Sequence, residues 1–459
     1  MIKYKEYKDY DPIIGLIPCD WKLIRSKYIL REREARSVDG SEDLLSVSQY
    51  TGVTRRKDGK KDSDFVLTRA LSLTGYKTVE FDNLVVNIML AWNGSLGVSK
   101  YAGITSPAYG VYEISGKAVP KFIDYLIRTD LYKALFKLKS TGVIDSRLRL
   151  YTDQLYTIPF ILPTIDEQIQ IARYLDYKNY QINKYIRIKK RQIELLKELK
   201  QTIINDAVTG KIDVRTGKPY ADYSKTTNSV IPEYPSHWND SKLRQLLLRF
   251  SMKNSPSLPL LSVVREKGVI VRDVKNFVEN RNYIPEDLSG YKVVREKFFV
   301  INKMKAWQGS YGVSDYEGIV SPAYYVFKLK SVSGRFFNHA IRAKAYVPFF
   351  GMASDGIRTG QWDLSFERMK DIPFYKPPID EQLRICEYHE DWCDKIDRTI
   401  EQLKGSLEPI HELQTRLISD VVTGKLDVRE IEVPDLPEDE LEQEFEVEEE
   451  PVEEIENGD

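Results

Sequence analysis

Residues 73–114 read LTGYKTVEFDNLVVNIMLAWNGSLGVSKYAGITSPAYGVYEI, and residues 288–329 read LSGYKVVREKFFVINKMKAWQGSYGVSDYEGIVSPAYYVFKL. The two stretches align without a gap, and 23 of their 42 positions are identical. Beyond them, PTIDEQ at 163–168 returns as PPIDEQ at 377–382, and AVTGKIDVR at 207–215 returns as VVTGKLDVR at 421–429. A repeat of roughly 200 residues is too long for a solenoid unit. The pattern predicts two similar domains related by a pseudo-two-fold axis, which suits a ligand with two half-sites.

Each half contains the same succession of segments. An entry segment ends in a turn and Trp, as IPCDW at 17–21 and YPSHW at 234–238. Short runs of Val, Ile, Tyr and Phe separated by Gly, Asn and Asp then indicate mixed β structure. A short helix is predicted over 119–139 and again over 334–350, and a long helix follows in each half.

The long helices are predicted over 165–208 and 379–422. Each follows a proline, carries Asp-Glu in its first turn, and ends at a glycine, Gly210 or Gly424. Gly405 and Pro409 lie inside the second helix, so we expect a kink there.

Apolar residues at alternating spacings of three and four predict a coiled-coil seam. The predicted seam consists of Ile182, Ile186, Ile193, Leu196, Ile203, Ile396, Ile400, Leu403, Leu407, Ile410 and Leu417. A pseudo-two-fold axis would make the pair antiparallel. The alternative is that each helix packs on its own domain, but ~40 residues at ~1.5 Å each exceed one domain face.

The predicted fold class is therefore α+β: two similar mixed α/β domains joined by two long helices that form an antiparallel coiled coil. We place the first domain at 1–162 and its long helical region at 163–213. The second domain covers 214–376 and its long helical region 377–430. Residues 431–459 are expected to be an acidic, disordered tail.

The charge distribution is more informative than the net charge of −1. Residues 431–459 hold 15 of the 69 acidic residues and no Lys or Arg, which leaves 68 basic against 54 acidic residues in 1–430. A basic body suits a polyanion such as DNA, although it can also be an ordinary solvated surface. The three cysteines form no C-x-x-C pair, and no uncharged apolar run is long enough for a membrane span. We expect a cytoplasmic protein.

The sequence contains no pattern typical of catalysis or cofactor binding. Its four His residues form no metal motif, and the Gly-Lys pairs lack the upstream glycine of a phosphate loop. Cys386, His389 and Cys393 share a helix face, where buried thiols are more common than metal ligands. We expect no cofactor and no metal.

Candidate DNA-binding residues occur in corresponding places of the two halves. Asn or Gln in the Trp-amide-Gly-Ser blocks can bond adenine bidentately, but Asn-Gly is equally typical of a turn. Basic residues in loops suit phosphate contact, although many such runs are merely solvated. The candidates are Arg55, Arg56, Lys57, Lys60, Lys61, Trp92, Asn93, Ser95, Arg147, Arg149, Arg265, Lys267, Arg272, Trp307, Gln308, Ser310, Arg358 and Gln361.

The duplicated order of these blocks resembles the specificity subunit of type I restriction–modification systems. The resemblance spans residues 1–430 and rests on IPxxW, the WxGSxGVS and SPAY blocks, the Glu-Gln helix start and the VTGK[IL]D end. It implies one recognition domain per half of a split DNA sequence, and a helix pair that docks two methyltransferase (modification) subunits. Restriction subunits join that core, and S-adenosylmethionine and ATP belong to the partners.

The favoured function is a non-catalytic subunit that reads double-stranded DNA. Two alternatives remain open: the recognition subunit of a related split-site system, and a coiled-coil scaffold that does not bind DNA.

Overall fold

The computed structural model describes residues 3–10, 12–56, 73–144, 147–253, 255–273, 284–285, 287–356 and 362–436. The chain divides into two units. Unit 1 combines Met1–Ile188 with Gly405–Asp459, and unit 2 is Lys189–Lys404. No helix of the described part has the length and apolar character needed to cross a membrane.

The first part of the chain supplies twelve described strands and four helices to the mixed α/β structure. The strands are β1 Tyr7–Asp9, β2 Leu16–Pro18, β3 Lys22–Arg25, β4 Leu30–Glu32, β5 Leu45–Ser48, β6 Gly52–Arg55, β7 Lys77–Val79, β8 Leu84–Val86, β9 Leu96–Val98, β10 Gly103–Thr105, β11 Gly110–Ile114 and β12 Pro159–Leu162. The helices are α1 Pro120–Ile127, α2 Asp130–Lys139, α3 Thr152–Leu155 and α4 Ile165–Val208. Helix α4 contributes residues to both units.

Unit 2 continues with the same kinds of element. Its strands are β13 Tyr223–Lys225, β14 Glu233–Pro235, β15 Asn239–Lys242, β16 Leu247–Phe250, β17 Leu261–Val264, β18 Gly268–Val271, β19 Lys292–Val294, β20 Phe298–Asn302, β21 Tyr311–Val313, β22 Gly318–Val320, β23 Tyr324–Leu329, β24 Ser354–Asp355, β25 Asp363–Leu364 and β26 Pro373–Lys376. Its helices are α5 Leu243–Leu246, α6 Gly334–Arg342, α7 Val347–Met352, α8 Phe366–Met369 and α9 Ile379–Gly405. The last helix, α10 Leu407–Val422, belongs to unit 1.

An antiparallel four-stranded sheet recurs in both units. Its order is β4-β11-β8-β9 in unit 1 and β16-β23-β20-β21 in unit 2. The duplicated blocks of sequence supply three of the four strands in each case. Each unit also contains two-stranded pairs, including the hairpins β5–β6 and β17–β18 and the long-range pairs β3–β12 and β15–β26.

Three helices that the sequence predicted as continuous are divided. The segment 119–139 forms α1 and α2, because the Thr129 side chain accepts from Tyr132 N and caps a new helix. The segment 334–350 is split between α6 and α7. The second long helix ends at Gly405 and resumes at Leu407, so a break at Ser406 replaces the expected kink.

A buried carboxylate joins the entry segment to the start of the long helix in unit 1. Glu167 Oε1 accepts hydrogen bonds from Trp21 Nε1 at 3.2 Å and from Tyr4 OH at 2.7 Å. Gly424 packs against Pro18 and Trp21, and Val421 and Val422 enter the same core. The C-terminal repeat block therefore completes unit 1.

Unit 2 uses the equivalent residues in the same way. Glu381 Oε1 accepts from Trp238 Nε1 at 2.9 Å and from Tyr220 OH at 2.6 Å. Gly210, just after α4, lies against Pro235 and Trp238. The ends of the long helices are thus core elements.

Each unit contains two antiparallel helical segments in contact. In unit 1, Gln414 Nε2 of α10 donates to Asn179 Oδ1 of α4 at 3.1 Å. In unit 2, Lys200 Nζ of α4 contacts both carboxylate oxygens of Asp397 in α9, at 2.8 and 2.6 Å. Polar contacts between particular positions of two helices favour one register of the pair.

Burial along the helices varies at the predicted seam positions. Ile186, Ile193, Ile396 and Ile400 are buried, and the others are half-buried: Ile182, Leu196, Ile203, Leu403, Leu407, Ile410 and Leu417. Near the end of α4, Ile204 is more deeply buried than Ile203 because it belongs to the core of unit 2.

Candidate nucleic-acid interface

The Trp-amide-Gly-Ser blocks form the same tight turn in both units. In unit 1 a 3₁₀ turn covers Ala91–Asn93, and Gly94 closes it with φ of 96°. In unit 2 the turn covers Ala306–Gln308, and Gly309 has φ of 93°. Residues with a Cβ rarely adopt this left-handed conformation, so the turn accounts for both glycines.

In unit 1, hydrogen bonds within the turn occupy the side-chain oxygen of Asn93, which a contact with a base would need. Asn93 Oδ1 accepts from Ser95 N at 3.2 Å and from Ser95 Oγ at 3.0 Å. Bidentate contact with adenine needs both the oxygen and the nitrogen of the amide, so the geometry favours the turn interpretation for Asn93. Ser95 and Ser310 are 4% and 3% exposed. We therefore remove these two from the candidate surface, because a base edge cannot reach a buried hydroxyl.

The tryptophans of these turns remain partly accessible. In unit 1, Leu150 N donates to Ile88 O, which puts exposed Arg147 and half-buried Arg149 on the segment beside the turn. Lys137 Nζ lies 5.3 Å from the centre of the Trp92 ring. In unit 2 the Trp307 ring lies 5.3 Å from the Trp362 ring. Arg358 and Gln361 fall outside the described residues, and so do Lys57, Lys60 and Lys61 of unit 1.

The basic candidate residues on the β5–β6 and β17–β18 hairpins lie at different ends of these hairpins. Arg265 and Lys267 are exposed at the β17–β18 turn, where unit 1 has no charged residue. Arg55 ends β6, with Nε 3.4 Å from Asp43 and the guanidinium 5.0 Å from the Tyr101 ring centre. The sequence comparison therefore grouped residues that the fold separates.

Near the open ends of the β5–β6 and β17–β18 hairpins, both units contain the same hydrogen bond between an amide and a tyrosine. The SPAY tyrosines are held by Asn87 Nδ2, which donates to Tyr109 OH, and by Asn302 Nδ2, which donates to Tyr324 OH, both at 3.2 Å. Burial raises the pKa of each phenol, while Arg56 acts on Tyr109 and Arg272 on Tyr324 in the opposite direction. Each unit thus places an arginine near a neutral tyrosine that a buried amide holds in position.

In unit 2, further positively charged residues lie near Tyr324. Lys292 Nζ donates to Tyr324 O at 2.6 Å. The pKa of Lys292 is lowered, first by burial and then by neighbouring positive charges. These come from Arg249, Lys253 and Lys303. Lys303 is paired with Asp363 at 2.8 Å, so Lys292, Arg249 and Lys253 carry the excess positive charge here. Excess positive charge is the electrostatic character of a phosphate-binding surface.

Unit 1 has the opposite charge around the equivalent lysine. Lys77 is buried, with Nζ 3.3 Å from Glu34 and 3.6 Å from Glu32. The two units therefore share a backbone framework but differ in charge around it. The repeated sequence blocks indicate only what the two units have in common. The charges around Lys292, which differ from those around Lys77, were therefore not predicted from the sequence.

Nothing in the described part of either unit resembles a metal centre. No group of three or more His, Cys, Asp or Glu side chains there is placed to hold a metal ion. Cys393 Sγ contacts His389 Nε2 at 3.1 Å, and burial raises the pKa of both Cys386 and Cys393. These thiols are held in the protonated form.

Comparisons with known proteins place this architecture in one class. No family model matches the chain. A curated relative, the type I restriction enzyme MjaVIII specificity subunit of Methanocaldococcus jannaschii, is 24% identical, and the match covers 93% of this chain and 98% of the relative.

Solved structures agree on the fold. The HsdS subunit from Thermoanaerobacter tengcongensis has a TM-score of 0.50 at 15% identity, covering 89% of this chain and 98% of that one. A chain from a study of assembly and conformational transition in the type I R-M system has a TM-score of 0.58 at 12% identity, covering 89% and 99%. The fold is that of specificity subunits. The resemblance that the duplicated blocks indicate is thereby confirmed: this chain is similar to a type I restriction enzyme specificity subunit along nearly its whole length.

Proposed function

We propose that this chain is the DNA-sequence-recognition subunit of a type I restriction–modification enzyme and has no catalytic activity of its own. It reads a bipartite site in double-stranded DNA, with one unit for each half-site. The observation that carries the proposal is the repeated arginine–tyrosine–amide arrangement, Arg56 with Tyr109 and Arg272 with Tyr324, on one framework with different surrounding charge. Such a pair suits two related but unequal half-sites.

The helical segments serve as spacer and assembly surface in this proposal. The two long helical regions form an antiparallel coiled coil that sets the distance between half-sites and docks two methyltransferase subunits. Hydrogen bonds between antiparallel segments within each unit support it, Gln414 with Asn179 and Lys200 with Asp397. Restriction subunits join the complex, S-adenosylmethionine and ATP bind the partners, and the assembly works in the cytoplasm.

The decisive experiment is to express the chain with its methyltransferase partner and map methylated adenines across the host genome. We expect one split motif with a fixed spacer, and no methylation when either chain is expressed alone. A scaffold that does not bind DNA would give no motif, and purified chain would then show no salt-dependent affinity for DNA. In a related split-site system, a single partner chain would both modify and cleave the DNA, and finding such a partner would favour that alternative.

A further inference from the structure

A methionine is exposed at the same place beside the Trp-amide-Gly-Ser turn in both units. Met89 and Met304 correspond in the repeat, and they are 36% and 57% exposed. Neither packs in the apolar cores that the described residues form. Single exposed apolar residues are ordinary on protein surfaces, so exposure alone assigns no role to the pair.

The positions on either side of each methionine show which residues the turn tolerates. In unit 1 Met89 lies between Ile88 and Leu90, and the corresponding positions of unit 2 are both lysine. The repeat has therefore exchanged apolar for charged residues on both sides and has kept the methionine between them. An exposed methionine loses little burial when it is replaced, so the stability of the fold does not require it.

The backbone of each methionine is fixed to the tyrosine of the SPAY block. Asn87 Oδ1 accepts from Met89 N at 3.1 Å, while Asn87 Nδ2 donates to Tyr109 OH at 3.2 Å. In unit 2 the corresponding asparagine makes both hydrogen bonds at 3.2 Å. These asparagines are 4% and 9% exposed, so each methionine side chain starts from a defined place next to the arginine–tyrosine–amide arrangement.

A second hydrogen bond holds the backbone from another side. Leu150 N donates to Ile88 O, and Leu364 N donates to Lys303 O, both at 2.9 Å. The residue before each methionine is thereby tied to the segment that leads into the short helix α3 or α8. The backbone is fixed, while the unbranched thioether side chain can adapt to a surface that it meets.

The charges near the two methionines favour a nucleic acid over an apolar protein surface as the ligand. In unit 2 exposed Lys305 follows Met304, and Arg272 acts on the tyrosine that shares its asparagine. In unit 1 Arg56 takes the place of Arg272. An apolar side chain among cations matches the major groove of DNA, where thymine presents a methyl group between polar base edges.

We propose that Met89 and Met304 are specificity-determining residues, each of which contacts the C5 methyl group of a thymine in the major groove of its half-site. The inference rests on the proposed function and adds an apolar contact to those of the arginines. Cytosine lacks this methyl group, so each methionine favours an A·T over a G·C pair at one position. Both half-sites therefore contain such a thymine, although the charges around the two units differ.

The test uses the full chain in complex with its methyltransferase partner, and DNA duplexes that carry the split sequence found by methylome mapping. Each thymine is replaced in turn by deoxyuridine, which removes the methyl group and leaves the base pair intact. We expect one replacement in each half-site to weaken binding about fourfold, the effect of one buried methyl group. A half-site without thymine on either strand, or one in which no replacement weakens binding, would overturn the inference.

Protein variants connect the methyl group to the methionine. Met304→Gln has a similar length but a polar end, and it should weaken binding and abolish the effect of deoxyuridine in the half-site of unit 2 alone. Met304→Leu should preserve that effect. Met89→Gln is the matched variant for the other half-site. Leu413→Gln on α10 is the control, because Leu413 is also 57% exposed and should change neither half-site.

Salt dependence separates the apolar contact from a displaced arginine. Met304→Gln removes no charge, so the slope of log affinity against log salt should equal that of the parent. A smaller slope would show that the variant disturbs a phosphate contact, and would count against the inference. If the unmodified complex recognises no DNA sequence, the proposed function fails as well. If it recognises one and deoxyuridine has no effect, only the inference fails.

Discussion

The indole N–H of Trp238 donates to Oε1 of Glu381 over 2.9 Å, although 143 positions separate them in sequence. Glu381 is 7% exposed and also contacts Tyr220 OH at 2.6 Å and His237 Nε2 at 2.8 Å. One carboxylate thus connects the entry segment of unit 2, the residues after α4, and the first turn of α9.

Removing the indole donor should destabilise unit 2. Trp238→Phe keeps most of the apolar contact but leaves the buried carboxylate with one donor fewer, which costs about 1–3 kcal/mol. Trp21→Phe is the matched change in unit 1, where Glu167 loses the same donor. Calorimetric unfolding should show a lower transition for the altered unit. An unchanged thermogram for both variants would mean that the carboxylate is satisfied without the indole.

Arg272 and Arg56 should each contribute to DNA affinity through a separate half-site. Arg272→Ala and Arg56→Ala should weaken binding, and each should reduce the slope of log affinity against log salt by about 1 if it contacts a phosphate. Probes with one half-site scrambled separate the two contributions. If Arg272→Ala weakens binding equally whichever half-site is scrambled, the assignment of one unit to one half-site is wrong.

The lowered pKa of Lys292 predicts a pH dependence on the alkaline side. Burial and nearby cations bring its pKa below the ordinary 10.5, so its charge is lost at a lower pH than that of an exposed lysine. DNA affinity should therefore fall as the pH rises through that pKa. Lys292→Arg keeps the charge and should retain affinity at alkaline pH. Parallel titration curves for the two proteins would exclude Lys292 from the interface.

Lengthening both helical regions should lengthen the spacer of the recognised sequence. Ala207 and Val208 are core residues of unit 2, so an insertion belongs between Ile186 and Ile193, with a matching one between Ile400 and Leu407. Seven residues preserve the heptad phase and add ~10 Å, or about three base pairs. Methylome mapping should return the same half-site bases with the longer spacer. Full activity on the original spacer would limit the helices to docking.

Acidification should destabilise unit 2 through His389. Burial lowers the pKa of His389 to about 4, with His339 and Lys200 adding to the effect and Glu390 opposing it. The imidazole of His389 takes up a proton near pH 6.5 in the unfolded state but only near pH 4 in the folded state. Its contribution to the free energy of unfolding is therefore fully present above pH 6.5 and is lost as the pH falls toward 4. His389→Phe should flatten this dependence, and exposed His411→Gln should not. An identical pH profile for His389→Phe and the parent would refute the assignment.

Local patterns in the sequence predicted the parts of the fold that local chemistry determines. The duplicated Val- and Phe-rich runs became β8 and β20, and the Gly94 and Gly309 turns follow from dipeptides that need a left-handed residue. The break at Thr129 was missed because a cap within an apolar run does not alter its periodicity.

The candidate site could be predicted only in part, because the fold decides which of its residues, distant in sequence, come together. The sequence placed Arg55, Arg56, Arg265, Lys267 and Arg272 in corresponding basic loops. The hairpin registers put Arg265 and Lys267 at the opposite end from Arg55, Arg56 and Arg272. The charge around Lys292 comes from Arg249, Lys253 and Lys303, which are far from it or from one another in sequence, so no local pattern signals it. The contacts of residues 431–435 with α4 were not predicted, because acidic composition alone indicates disorder, whereas Gln170 and Arg173 supply hydrogen-bond partners for Ile431 and Asp435.

The dependence of unit 1 on the end of α10 has a consequence for synthesis on the ribosome. Unit 2 is continuous in sequence and is complete once Lys404 has emerged. The core of unit 1 includes Val421, Val422 and Val428. Its N-terminal portion must therefore wait while the 240 residues from Lys189 to Val428 are translated, which takes about 10–50 s at typical rates. The half made first is finished last, and during that interval the nascent chain exposes the apolar surface that these valines later cover.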